Sequence, residues 1–269
     1  MQNKFMNHTF HQNVALVTGA GSGIGKATAL LLAQRGARVA LLGRTESELA
    51  ETAASIEQDC GADKALVVQA DISDYATMEM AVNKIKDAWG RLDIVFANAG
   101  VNGVWAPIDE LDPDEWQKTM QINLNGTFFT VKTAVPLLKK QGGAIVITAS
   151  VNGTRIFSNA GATAYSTTKA GQVAMAKMLA LELAKHRIRV NVVCPGAIET
   201  SIDENTDMQA IAEAEEPVDY PEGRIPLTDG QPGMAEDVAE LVTFLASDAA
   251  KHITGTEMWI DGAESLLQG

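Results

Sequence analysis

Val14-Ala15-Leu16-Val17-Thr18-Gly19-Ala20-Gly21-Ser22-Gly23-Ile24-Gly25 opens on apolar residues, turns through a cluster of glycines and runs straight into a stretch of helical periodicity. A short, continuous apolar run suits a strand buried on both faces. Glycines let the backbone turn tightly and approach a pyrophosphate, and the N–H groups and dipole of the following helix supply positive potential for it. The spacing is Gly-x-x-x-Gly-x-Gly rather than Gly-x-Gly-x-x-Gly, so the cluster alone is also compatible with a tight structural turn.

The same alternation continues outward. Strand-length apolar runs follow at Val39 to Leu42, Leu66 to Val68, Ile94 to Ala97, Ile145 to Thr148 and Val190 to Val193, with a short seventh at Met258 to Ile260. Between them lie helical patterns at Ile24 to Gln34, Glu46 to Asp59, Tyr75 to Trp89, Glu115 to Lys140 and Thr167 to Lys185. Repeated β-α-β-α order predicts an α/β fold, a doubly wound parallel sheet with helices on both faces. No composition break divides residues 13–269, so one domain is expected there, preceded by a solvated, flexible arm at 1–12. Pro136 is expected to kink or end the fourth helix. The stretch 199–233, with Pro217, Pro221, Pro226, Pro232 and an acidic run, reads as a long irregular lid.

Composition narrows the function. A net charge of −13 over 269 residues repels nucleic-acid phosphates and anionic membranes. No run approaches the ~18 apolar residues of a membrane helix, and the first residues lack the apolar core of a secretory signal. Cys60 and Cys194 form no CxxC pair, and the four histidines show no metal-ligand spacing beyond the pair His8 and His11 in the arm, so no metal site is expected and the cytoplasm is the expected compartment.

An open α/β sheet binds its ligand beyond the carboxyl ends of its strands. Those ends carry Arg44 and Thr45, Asp71 and Ile72, Asn98-Ala99-Gly100, Ser150, and Pro195-Gly196. Singly each reads as a surface loop residue, and Asp71 equally as a helix N-cap; jointly they mark a cofactor cleft. Tyr165 and Lys169, four apart at the start of a helical pattern, share one face. A neighbouring ammonium favours the phenolate and lets tyrosine exchange a proton near neutral pH. Ser150 is placed to hydrogen-bond a carbonyl or developing alkoxide, and Asn123 is a polar residue inside an apolar helical run. Taken alone, Tyr165 and Lys169 read as an exposed pair, and Ser150 and Asn123 as groups satisfied by backbone.

Taken together, in this order and with these gaps, Thr18-Gly-x-x-x-Gly-Ile-Gly25, Asn98-Ala-Gly100, Asn123, Ser150, Tyr165-x-x-x-Lys169 and Pro195-Gly196 to Thr200 resemble the classical short-chain dehydrogenase/reductase family over residues 13–263. The resemblance implies a single Rossmann-type domain with a seven-stranded sheet, NAD(P)(H) as cofactor, and reversible oxidation of an alcohol to a carbonyl. It implies Tyr165 as general acid/base, Lys169 lowering its pKa and holding the nicotinamide ribose, Ser150 orienting the substrate oxygen, and Asn123 keeping a water in a proton relay. Cofactor contacts carry over to Gly19, Ser22, Gly23, Ile24 and Gly25 at the pyrophosphate and ribose, to Asp71 and Ile72 at the adenine, to Asn98 at the adenosine ribose, and to Ile198 and Thr200 at the carboxamide. A homotetramer joined through the fourth and fifth helices is the family expectation.

Three departures are visible. Ala97 replaces an asparagine common before Asn98, Ala263 stands where a second glycine is usual, and Ser150 and Tyr165 are two residues further apart than is usual, which places an insertion between Asn152 and Ala164. Gly43 occupies the position where NAD-dependent proteins of this fold carry an acid, and Arg44 follows it with Thr45 and Ser47. The expectation is therefore NADP(H), with NAD(H) as the alternative. The expected substrate is a small secondary alcohol or ketone. A 3-oxoacyl reductase of fatty-acid type and a non-catalytic dinucleotide-binding regulator are the competing readings. Against a carrier-bound substrate, Gln141 and Leu181 stand where such reductases place docking arginines.

Overall fold

The computed structural model describes residues 9–200, 206–211 and 224–268. Its centre is a seven-stranded sheet formed by β1 (Val14–Thr18), β2 (Arg38–Gly43), β3 (Ala65–Gln69), β4 (Ile94–Ala97), β6 (Gly143–Thr148), β7 (Ile188–Pro195) and β9 (Glu257–Ile260). The spatial order is β3-β2-β1-β4-β6-β7-β9, and every neighbouring pair is parallel. Parallel strands need covered faces. Alternation does the covering: Val14 and Leu16 of β1 enter one core cluster, while Ala15 and Val17 enter the other.

The first cluster packs beneath α3 (Tyr75–Trp89), α5 (Gly126–Leu138) and α6 (Thr163–Ala184), through side chains such as Met78, Val131 and Leu183. The second packs beneath α1 (Gly23–Gln34), α2 (Glu46–Cys60) and α7 (Ala235–Ala246), through Leu32, Ile56 and Val242. Local chemistry sets helix ends. Asp74 accepts the N–H groups of Ala76 and Thr77 at the start of α3, and Gly90 closes that helix at φ +73°. Asp112 caps α4 (Pro113–Thr119), with Pro113 in the first turn. A short α8 (Glu264–Gln268) follows β9.

Several expectations change. The helix expected over Glu115 to Lys140 is divided, and not by Pro136, which lies inside α5. The break is a π turn at Met120–Asn125, centred on Asn123. The arm at 1–12 is not solvated throughout: Phe10 is buried in the second cluster and its N–H donates to the Arg35 carbonyl at 2.7 Å; residues 1–8 lie outside the described residues. The stretch 199–233 is not wholly irregular. Its Thr206–Met208 forms β8, paired in parallel with β5 (Gly103–Trp105), although 201–205 and 212–223 lie outside the described residues. Helix α7 is an element outside the helical patterns given above.

Candidate active site

The strand order reverses between β1 and β4, and there the carboxyl ends part to form a cavity of about 880 Å³. One end is the glycine turn. Gly19 takes φ +69° and Gly23 φ +50°, which favour glycine. At Gly25 a Cβ would lie 2.0 Å from the Gly19 carbonyl oxygen, so only hydrogen fits. Ser22 is the N-cap of α1, yet its hydroxyl makes no cap bond, and the first turn holds no acid. The turn therefore presents open N–H groups, an unspent hydroxyl and the positive end of a helix, and these fit a dinucleotide pyrophosphate.

The remaining expected cofactor residues, Arg44, Asp71, Ile72, Asn98, Ile198 and Thr200, line the same cavity. Asn98 is also a structural pin: its Nδ2 donates to the Thr18 carbonyl at 3.2 Å, and its Oδ1 accepts from Thr148 Oγ1 at 3.1 Å, so three strand ends are tied together. Asp71 is not an N-cap, the role falling to Asp74. Its carboxylate instead accepts from the Ser73 N–H at 2.9 Å and hydroxyl at 2.7 Å. Arg44 is exposed just after β2, and its carbonyl accepts from Gln69 Nε2 at 2.9 Å.

The other end holds Ser150, Tyr165 and Lys169, brought from the end of β6 and the first turns of α6. Tyr165 is buried, with Lys169 Nζ 5.4 Å from its ring centroid. Lys169 is buried as well and donates to the Thr148 carbonyl at 2.9 Å. Burial in a poorly solvating interior pulls its pKa down to about 8. Cys194 is pushed up to about 12, chiefly by burial, so it stays a neutral thiol. Ser150 Oγ accepts from the Asn152 N–H at 3.1 Å, which leaves its proton free for a ligand.

Asn123 does not line the cavity. Its Oδ1 accepts from the Val101 N–H at 2.9 Å, and its Nδ2 donates to the Val101 carbonyl at 2.8 Å and to Thr168 Oγ1 at 3.2 Å. Its carbonyl accepts from Thr127 Oγ1 at 2.7 Å and Gln172 Nε2 at 2.9 Å. Both acceptors are thus engaged by protein groups, and the side-chain bonds join the loop after β4 to α6.

Sequence reasoning missed several lining residues. Glu48 lies across the glycine turn: a Cβ on Gly21 would come within 2.8 Å of its carboxylate. Thr45-x-x-Glu48 has a capping-box pattern, yet Thr45 makes no side-chain cap bond to α2. Trp105 sets its ring 6.3 Å from that of Tyr165, inclined by 39°. Asn152 and Asn159 pair at 2.7 Å on the rim, inside the segment assigned the insertion. Buried Glu264 accepts from the Ala197 N–H at 3.1 Å. Only the Thr45-x-x-Glu48 pattern gave a local signal, and it pointed elsewhere. Among the described residues no cluster of His, Cys, Asp or Glu could hold a metal, and no helix is long and apolar enough to cross a membrane.

Comparison with known proteins agrees with this geometry. A family model described as Enoyl-(Acyl carrier protein) reductase matches residues 19–263. Cyclohexanol dehydrogenase of Acinetobacter sp. (strain SE19) is 38% identical, covering 97% of this chain and 98% of that protein. Levodione reductase of Leifsonia aquatica is 34% identical over 95% of each. The crystal structure of a 3-ketoacyl-ACP reductase from Sinorhizobium meliloti 1021 superposes with a TM-score of 0.89 at 54% identity, covering 94% of this chain and 99% of that one. Alcohol and ketone oxidoreductases thus align along nearly the whole chain, and the chain belongs to the classical short-chain dehydrogenases/reductases, NAD(P)(H)-dependent oxidoreductases.

Proposed function

We propose that the enzyme interconverts a small free ketone and its secondary alcohol, with Tyr165 exchanging the proton. The observation that carries this reading is the convergence of Ser150, Tyr165 and Lys169 on one wall of the cavity that the glycine turn opens from the other end. The nicotinamide nucleotide, when bound, supplies or accepts the hydride. Ser150 donates to the substrate oxygen with the proton its own acceptor bond leaves free. Lys169 spends one proton on Thr148 and has two left for ribose hydroxyls and for favouring the Tyr165 phenolate. A pure nucleotide-binding regulator would have no need of the serine.

Relatives acting on cyclohexanol and levodione support a cyclic substrate, whereas the Sinorhizobium neighbour's name favours a carrier-bound 3-oxoacyl chain. Against the carrier, Gln141 is spent internally, donating to the Leu92 carbonyl at 2.6 Å. Leu181 is an exposed apolar side chain, and the charge of −13 opposes an acidic partner. Turnover of cyclohexanone well above that of a carrier-bound 3-oxoacyl chain is expected. The reverse ranking would establish the reductase reading instead.

NADP(H) is the preferred cofactor, supported by Arg44 at the cavity edge and by Gly43 where an acid would repel a 2′-phosphate. A charge-assisted contact of this kind gives about a 10- to 150-fold preference. Glu48 opposes it from across the turn. Comparing kcat/KM for the two cofactors, Arg44→Ala should erase most of the preference and Glu48→Gln should increase it severalfold. A wild-type enzyme that favours NAD(H), or a ratio unmoved in Arg44→Ala, would remove Arg44 from the site. The enzyme is further proposed to be cytoplasmic and homotetrameric, assembled through exposed faces of α5 and α6.

A further inference from the structure

Ser150 can aim its hydroxyl at a substrate only if the turn that carries it keeps still. The chain after it winds back on one acceptor: the N–H groups of Thr154, Arg155 and Ile156 all donate to the Val151 carbonyl, at 3.1, 2.8 and 3.0 Å. Two contacts hold this turn from outside. Gly153, at φ +77°, lies so close to the first turn of α6 that a Cβ would come within 2.2 Å of the Ser166 carbonyl oxygen, which sets the turn directly against the residue after Tyr165. On the other side, Thr154 Oγ1 donates to the Ser150 carbonyl at 2.6 Å, with the Val151 carbonyl as a second acceptor at 3.0 Å. The same oxygen accepts from Trp259 Nε1 of β9 at 3.3 Å.

We infer that Thr154 and Trp259 are positioning residues for catalysis: the indole N–H of the last strand orients the Thr154 hydroxyl, and that hydroxyl fixes the Ser150 backbone so that the free proton of the serine meets the substrate oxygen. A threonine hydroxyl has one proton and rotates to suit its neighbours. The indole N–H can only donate, so the side of the oxygen turned to Trp259 must carry a lone pair. The single proton is left to the carbonyls, of which that of Ser150 is the nearer. The indole is itself held, because the Arg155 guanidinium stacks 3.7 Å from the ring centroid and its Nη1 donates to Ser265 Oγ of α8 at 3.5 Å. Thr154, Arg155 and Trp259 do not line the cavity, so what they do reaches the substrate through Ser150. Misplacing a reacting group by about 1 Å can cost on the order of 100-fold in rate, so loosening this turn slows catalysis without unfolding anything.

The inference rests on the proposal that Ser150 serves the substrate oxygen. Its test uses Thr154→Val, which keeps the shape and loses the hydroxyl, Thr154→Ser, which keeps the hydroxyl, and Trp259→Phe, which keeps a ring and loses the N–H, each made also in Ser150→Ala. Turnover is followed on whichever of cyclohexanone and a carrier-bound 3-oxoacyl chain the wild type prefers, because Ser150 serves either. Thr154→Val should lower kcat about 10-fold with KM within about threefold of wild type and titrated cofactor affinity unchanged, and Thr154→Ser should recover most of the loss. Trp259→Phe should lower kcat about threefold, and combining it with Thr154→Val should be no worse than Thr154→Val alone. In Ser150→Ala the change Thr154→Val should cost less than about twofold, because the group it positions is gone. Thermal midpoints check that each variant is folded; if Thr154→Val does not fold, Trp259→Phe with and without Ser150 decides. A wild-type kcat in Thr154→Val, a Thr154→Ser variant as slow as Thr154→Val, or an equal loss with and without Ser150 would show a packing contact and leave the role of Ser150 intact. Ser150→Ala as fast as wild type, or turnover of neither substrate by the wild type, would overturn that role and this inference together.

Discussion

Tyr165 and Lys169 lie one helical turn apart, and burial changes what each can do. Tyr165 is the only proposed proton donor to the substrate oxygen, so Tyr165→Phe, which keeps the ring, should cut kcat at least about 100-fold and leave cofactor affinity little changed. Near-wild-type turnover would defeat the assignment. Lys169 has a pKa lowered by burial to about 8. Because the folded value lies below the ordinary one, the unfolded chain binds more protons between about pH 8 and the usual lysine range, and this residue's contribution to stability rises with pH across that window. Cofactor binding works the other way. Ribose hydroxyls that accept from the ammonium favour the charged form, so binding near pH 8.5 should take up protons and affinity should improve as the pH falls toward 7. Calorimetric titration in two buffers of different ionisation enthalpy measures the uptake directly, and Lys169→Met should abolish it. No uptake in the wild type would mean that Lys169 keeps its proton without help.

The π turn Met120–Asn125 is the element on which the site's alignment depends. Through Asn123 it holds both backbone groups of Val101 and the Thr168 hydroxyl, fixing the loop after β4 against α6. Asn123→Ala strands these buried partners and should cost about 2–4 kcal/mol in urea unfolding, with kcat falling more than KM rises; a variant as stable and active as wild type would leave the π turn without this task. The sequence signalled Asn123 only as a polar residue in an apolar run, and placed the irregularity at Pro136, because a proline is a local cue and a π turn is not. Strands were legible within a residue or two, since burial on both faces leaves a continuous apolar run. Helix α7 was also legible in principle: Val238, Val242 and Leu245 keep helical spacing, and Asp237 accepts from the Met234 N–H at its start. Nothing local foretold β5 and β8, whose three-residue strands come from distant parts of the chain, nor the placement of Glu48 and Trp105, which tertiary packing decides. The glycine turn, Ser150, Tyr165 and Lys169 were legible because their spacing is tied to strand and helix ends.

At the scale of the whole molecule, the surface of α6 is at odds with a lone protomer. Thr167, Ala170, Ala174, Met178 and Leu181 follow one another at helical spacing, and all five are exposed; Met178 and Leu181 are 73% and 83% accessible. The opposite face, with Val173, Ala176, Ala180 and Leu183, is buried in the core. A helix apolar on both faces belongs between two packed layers, not at a water boundary. On α5, Phe128 is exposed on a face that also carries Lys132, whose ammonium sits 5.8 Å from the phenyl ring. Small residues at Ala170 and Ala174 would let a second helix approach closely, and the longer Met178 and Leu181 would fill the space beyond them. Covering this stripe with the same stripe of another protomer makes a self-complementary, two-fold contact, the contact on which the proposed tetramer depends. A charge of −13 per chain disfavours random association, so the apolar stripe must supply the specificity. Sedimentation should therefore show an assembly larger than a monomer that persists in high salt, since salt screens charge but strengthens rather than weakens apolar burial. The double variant Met178→Glu, Leu181→Lys should dissociate it to smaller species while the isolated protomer keeps its helical circular dichroism. A monomeric wild type, or an assembly untouched by the double variant, would place the contact on another face.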